Sequence, residues 1–170
     1  MINLTPKNKI KGFTVVELMV SIAIFTVIMS VTVVIFINSL KTQRSLVALM
    51  AINDNLSLSI EQMAREIRTG INFTGSESEL VFINAKGETV VYRLNSATGA
   101  LEKGVNAAFN PITADNVNVK DFRILLQGNE VGDSAPPRVT ISLTASGRLK
   151  DLQNIEATLQ TSVSARNIDT

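Results

Sequence analysis

The chain has 170 residues, 16 basic and 15 acidic side chains, a net charge of +1, and neither cysteine nor histidine. The missing thiols exclude disulfide scaffolds, thiolate zinc sites and cysteine nucleophiles, and the missing imidazoles remove the commonest general base and metal ligand. Residues 1–12 hold Lys7, Lys9 and Lys11 and no acid, so the remainder carries 13 bases against 15 acids, and no basic face points to direct nucleic-acid binding.

The first element is "KGFTVVELMVSIAIFTVIMSVTVVIFINSL", residues 11–40. Leu18 to Leu40 are 23 residues without a charge, a proline or a glycine. As a helix they reach about 35 Å, enough to cross a hydrocarbon core of about 30 Å. In lipid a lone segment satisfies its backbone only as a helix, whatever its content of Val, Ile and Thr. The N-terminal lysines favour the cytoplasmic side, which places the rest of the chain outside. A secretory signal has an apolar core of about 7–15 residues and a small-residue cleavage site. This run is longer, and "FINSLKTQ" offers no such site, so removal at its far end is not expected.

One acid, Glu17, interrupts the start of this run. An acid at the centre of a membrane helix costs about 2.5–3.5 kcal/mol, and less toward the interface. A plain reading has it snorkelling at headgroup level. A functional reading requires a partner that neutralises it.

"KGFTVVELMVSIAIFTVIMS" resembles the processing and assembly motif of type IV pilins and type II secretion pseudopilins. In that family a short basic leader ends in glycine, and a membrane peptidase cuts after it. The next residue, usually phenylalanine, is N-methylated, and the fifth residue of the mature chain is glutamate. Lys7, Lys9, Lys11, Gly12, Phe13 and Glu17 match these features. The resemblance therefore implies processing at Gly12–Phe13, methylation of Phe13 and an assembly role for Glu17. It implies as partners a prepilin peptidase and N-methyltransferase, other pilin or pseudopilin subunits, and membrane lipid. The helix proline of many major pilins is absent, with Val34 in that neighbourhood, which argues against a major-pilin role. The motif has a physical logic: cleavage leaves a cationic amine on Phe13, and Glu17 would pair with the Phe13 amine of a neighbour. A buried charge pair sets register more than it adds stability.

Beyond Leu40 the pattern stays helical. Leu46, Leu49, Leu56, Ile60, Met63 and Ile67 recur at three- and four-residue steps, interrupted by Asn53, and predict an apolar stripe packed on the chain's own domain. Glu61 and Arg65 form an i,i+4 pair. Gly70 reads as the stop signal. One helix of 57 residues from Phe13 to Thr69 is expected. A coiled coil with another chain is the alternative use of the stripe.

After Gly70 the period becomes two. "LVFINAKGETVVYRL" predicts two strands joined at Asn84-Ala85-Lys86-Gly87. In "VNVKDFRILLQG" Val117 and Val119 are out of phase with Phe122, Ile124 and Leu126, which predicts a bulge near Lys120-Asp121. "RVTISLTASG" alternates through Val139, Ile141 and Leu143, and "IEATLQTSVSA" through Ile155, Ala157, Leu159 and Val163. Residues 95–113 and 128–137 read as loops. Asn129, Glu130 and Asp133 fit no defined calcium loop. The expected fold is α+β, with a long N-terminal helix packed on an antiparallel sheet. Its segments are a leader at 1–12, a membrane and assembly helix at 13–40, an amphipathic continuation at 41–69 and a β region at 70–170. "SLSIEQMAREIRTG" followed by these strands and "TSVSARNID" is also similar to minor pilins and J-type pseudopilins.

No catalytic set, metal cluster or cofactor motif is present in the sequence, so the expectation is a structural subunit rather than an enzyme. That subunit is cleaved after Gly12, held in the cytoplasmic membrane with its N-terminus inside and its β region outside, and then assembled into a pilus or pseudopilus, as a minor component. The alternative from another class is an uncleaved single-pass protein whose outer β-domain binds a ligand.

Overall fold

The computed structural model describes residues 12–128, 136–150 and 152–166. One helix, α1 (Val15–Ile67), is followed by eight strands. The chain divides into two units, one through Gln43 and one from Arg44 onward.

In the first unit the side chains from Phe13 to Gln43 all point to solvent. Four hydroxyls within the apolar run are satisfied by the helix itself. Ser21 Oγ donates to the Glu17 carbonyl at 2.7 Å, and Thr26, Ser30 and Thr32 bond back to the carbonyls of Ile22, Thr26 and Ile28 at 2.8–2.9 Å. Each hydroxyl is absorbed by its own helix, as a lipid environment demands.

The second unit has its own core. Its helical part buries Ile52, Leu56, Ile60, Met63 and Ile67 among strand residues such as Phe82, Tyr92, Phe122 and Ile141. The expected stripe is thus correct from Leu56 onward but starts differently. Ile52 is buried, whereas Leu46 is 50 % exposed and Leu49 only half-buried. Asn55, one turn from Ile52, accepts a bond from the Ala114 N–H at 3.1 Å and ties that segment onto the helix. The Glu61–Arg65 pair forms at 3.8 Å on the exposed side.

The helix stops two residues early, at Ile67. Its last turn tightens, with Thr69 and Gly70 N–H donating to the Glu66 and Ile67 carbonyls. Gly70 does not adopt the positive φ of a C-cap glycine. It is small for another reason: a Cβ there would lie 2.6 Å from the Phe82 ring and 3.0 Å from Phe73. Gly70→Ala is therefore expected to lower stability by about 1–3 kcal/mol. Gly70→Asn should do no better, although a left-handed cap would accept it. Urea unfolding of both variants checks this.

The strands form two antiparallel meanders rather than the single sheet expected. The first contains β1 (Ile71–Ser76), β2 (Glu79–Ile83), β3 (Thr89–Asn95), β4 (Ala100–Val105) and β5 (Ala108–Pro111), in that order. The second contains β6 (Val117–Gln127), β7 (Arg138–Gly147) and β8 (Glu156–Ser164). The β2–β3 hairpin turns as expected, with Gly87 at φ 79° and the Asn84 carboxamide accepting from the Lys86 and Glu88 N–H groups. The predicted bulge falls between Val119 and Asp121. It brings Val117 and Val119 to the same buried side as Phe122 and Ile124.

Residues 100–111, expected as loop, are strands β4 and β5. Their hairpin turns on Asn106 and Ala107, both at positive φ (51° and 71°). This is the twist such two-residue turns require, made without the usual glycine. Gly104 in β4 faces Phe109, whose ring would lie 2.6 Å from a Cβ at that position. Arg93 stacks on the same ring at 3.6 Å. A row of aromatics, Phe73, Phe82 and Tyr92, crosses β1 to β3 with centroids 5.4 and 6.2 Å apart.

The last helical turn is fixed to the first sheet by a polar cluster. Tyr92 O–H donates to Glu66 at 2.9 Å, and Lys103 pairs with the same carboxylate. Burial, then the Glu66 charge, pushes the Tyr92 phenol above its ordinary range. Beside it, the Asn95 amide and Arg93 hold Glu102 below the usual carboxylate range. The expected loop at 128–137, with Asn129, Glu130 and Asp133, lies largely outside the described residues.

Candidate functional site: the N-terminal motif

Gly12, Phe13 and Thr14 precede α1 in non-helical backbone. A Cβ on Gly12 would meet nothing within 4 Å, and Phe13 is 84 % exposed. The Gly12–Phe13 peptide is therefore open to an approaching enzyme. Among the described residues glycine here answers no steric demand, and it leaves the least hindrance to a group brought against the backbone. Lys7, Lys9 and Lys11 lie outside the described residues.

Thr14 and Glu17 are joined by three bonds. The Thr14 N–H and its hydroxyl both donate to Glu17 Oε2 at 2.9 Å, and the Glu17 N–H donates to the Thr14 hydroxyl oxygen at 3.2 Å. This is a capping box, with Thr14 as N-cap and Glu17 at the third helical position. The carboxylate also lies in the first turn, where the helix dipole favours negative charge. Within one chain Glu17 thus has a local partner. The two readings weighed from sequence, a snorkelling acid or an intersubunit acid, omitted this one. Its signal is plain in "TVVE", a threonine followed three residues later by glutamate. Both bonds to the carboxylate end on Oε2. Oε1 takes part in neither, so the capping box leaves room for a cation from outside.

Elsewhere the described residues contain no group of three or more Asp and Glu side chains placed to hold a metal ion. The chemistry the N-terminal site offers is an accessible Gly–Phe bond followed by one ordered carboxylate on an apolar helix. α1 contains a stretch long and apolar enough to cross a membrane, near the N-terminus.

Residues 7–33 match the family model of the prokaryotic N-terminal methylation motif. No curated protein and no solved structure matches the chain.

Proposed function

We propose that this chain, which carries the prepilin-type N-terminal methylation motif of the type IV pilin and pseudopilin family, is a structural subunit of a pilus-like or type II secretion filament, present as a minor component. The observation that carries this reading is the coincidence of that motif with an exposed Gly12–Phe13 bond and a Glu17 ordered in the first turn of an apolar helix. The motif itself implies a prepilin peptidase that processes the chain and other subunits that assemble with it.

The peptidase cuts after Gly12, and Phe13 becomes a methylated, cationic N-terminus. The apolar helix holds the chain in the cytoplasmic membrane, with the lysine leader inside and the β region outside. On assembly the helices leave lipid and pack against one another. Glu17, kept in place by Thr14, receives the Phe13 amine of a neighbouring subunit. In a dry bundle an unpaired charge is heavily penalised, so only the register that pairs them is populated. Leu46, Val47, Met50 and Leu58, exposed on the part of the helix that carries the β region, support packing against further helices.

Gly12→Val tests the first step. The β-branched side chain crowds the scissile bond without touching the membrane segment. The variant is expected to accumulate uncut in the membrane fraction of cells with an active prepilin peptidase, while wild type is converted. Immunoblots of the two forms distinguish them by size, and equal conversion of the variant would contradict the assignment of the cleavage site.

A further inference from the structure

Strand residues alternate between the two faces of a sheet. Opposite the buried Val139, Ile141 and Leu143 stand Thr140, Ser142 and Thr144 of β7, and beside them Thr158, Gln160 and Ser162 of β8. All six are polar and none is charged. The outer two rows close on themselves: Thr140 bonds Ser162 at 3.1 Å, and Thr144 bonds Thr158 at 2.9 Å. The row between them stays open. Ser142 pairs in register with Gln160 on one side and with Arg123 of β6 on the other. Among the described residues neither the Ser142 hydroxyl nor the Gln160 carboxamide has a hydrogen-bond partner. Arg123 pairs with Asp121 through Nε at 2.9 Å, which leaves both of its Nη groups.

Arg123, Ser142 and Gln160 line a depression of about 400 Å³ together with Glu77, Leu125 and Thr140. Its wall on the side of the first sheet is the β1–β2 turn. That turn is held against β6 by the Ile124 N–H, which donates to the Glu77 carbonyl at 2.7 Å. Leu125 is 56 % exposed and supplies an apolar patch.

We propose that this depression binds a neutral sugar unit, one hexose ring of a glycan. Ser142 and Gln160 can each give and take a hydrogen bond, Arg123 can only give, and the Glu77 carboxylate can only take. A matching ligand must offer donors and acceptors on adjacent atoms, and the vicinal hydroxyls of a sugar are both at once. Arg123 and Glu77 carry opposite charges, so the site rewards no net charge on its ligand, which sets phosphates and uronic acids aside. Leu125 suits the C–H face of a pyranose ring. Ligand pockets run from about 300 to 1,000 Å³, and this one falls in that range. An extended peptide would add to a strand edge rather than lie on a sheet face. The site needs neither cleavage at Gly12 nor filament assembly, so it stands apart from the function proposed above.

Saturation-transfer NMR on the full-length chain, held in a zwitterionic detergent that contains no sugar, tests this. The neutral probes are D-glucose, D-galactose, D-mannose and N-acetyl-D-glucosamine, and D-glucuronate is the acidic contrast. At least one neutral probe should receive saturation, and glucuronate should receive less. Gln160→Ala and Glu77→Ala each remove one partner at an exposed position. Each should weaken binding of that probe about ten-fold. Lys86→Ala, in the exposed β2–β3 turn at the far end of β2 from Glu77, should leave it unchanged. No transfer to any of the four neutral sugars, stronger transfer to glucuronate, or wild-type binding by both Gln160→Ala and Glu77→Ala would each overturn the proposal.

Discussion

Glu17→Gln is expected to be cleaved normally and to be absent from filaments. Glutamine keeps an amide oxygen for the Thr14 N–H, so the capping box and the start of α1 survive. Only the negative charge is lost. The Phe13 amine of the neighbour would then be buried without a counter-charge, which costs about 3–5 kcal/mol. That corresponds to a loss of roughly 10²- to 4 × 10³-fold in incorporation per subunit, at about 1.4 kcal/mol for each factor of ten. Glu17→Ala removes both functions and adds about 1 kcal/mol of lost capping. Cleavage persists in both, since the scissile bond is outside the helix and five residues away. The measurement is the ratio of filament-associated to membrane-associated mature chain, by blotting of sheared filaments. If Glu17→Gln assembles like wild type while Glu17→Ala does not, the acid is a helix cap and the pairing mechanism is wrong.

Met63→Lys should unfold the β region. Met63 is fully buried among Leu56, Ile60 and the inner faces of the strands. An ammonium there has no acid assigned to it, and an unpaired buried charge costs several kcal/mol, a large part of the stability of a domain this size. Residues 44–170, which carry their own core, are expected to be folded when produced without the membrane segment. In that fragment Met63→Lys should abolish the cooperative urea transition that wild type shows. Met63→Leu, of similar volume, should cost less than about 1.5 kcal/mol. A fully stable Met63→Lys fragment would mean that the stripe is covered by another chain and not by these strands. Leu46→Lys serves as the contrast. That position is half exposed, and the change should cost little.

The parts of the fold legible in the sequence were those with one dominant periodic signal. α1, the β2–β3 hairpin, the bulge at Lys120-Asp121 and the alternation in β7 and β8 all fall where the apolar period puts them. β4 and β5 were hidden because "ALEKGVNAAFNP" carries charges, a glycine and a proline where a strand usually shows β-branched residues. The structure compensates each locally: Arg93 pairs Glu102, Lys103 pairs Glu66, and Phe109 covers Gly104. Their turn was hidden because Ala107 stands where glycine is expected. The split into two sheets depends on which strands find one another across the chain, and period alone does not contain that. At the N-terminus the methylation motif at residues 7–33 was legible as a whole, and the Thr14–Glu17 bonds have their own signal, a threonine three residues before a glutamate.

The central claim is that the chain is made as a precursor and matures at Phe13. It is tested most directly by the mass of the N-terminal peptide of chain extracted from membranes of cells with an active prepilin peptidase. The account predicts a peptide that begins at Phe13 and carries one methyl group on its amine. Chain that begins at Met1, with Lys7, Lys9 and Lys11 still attached, would contradict it.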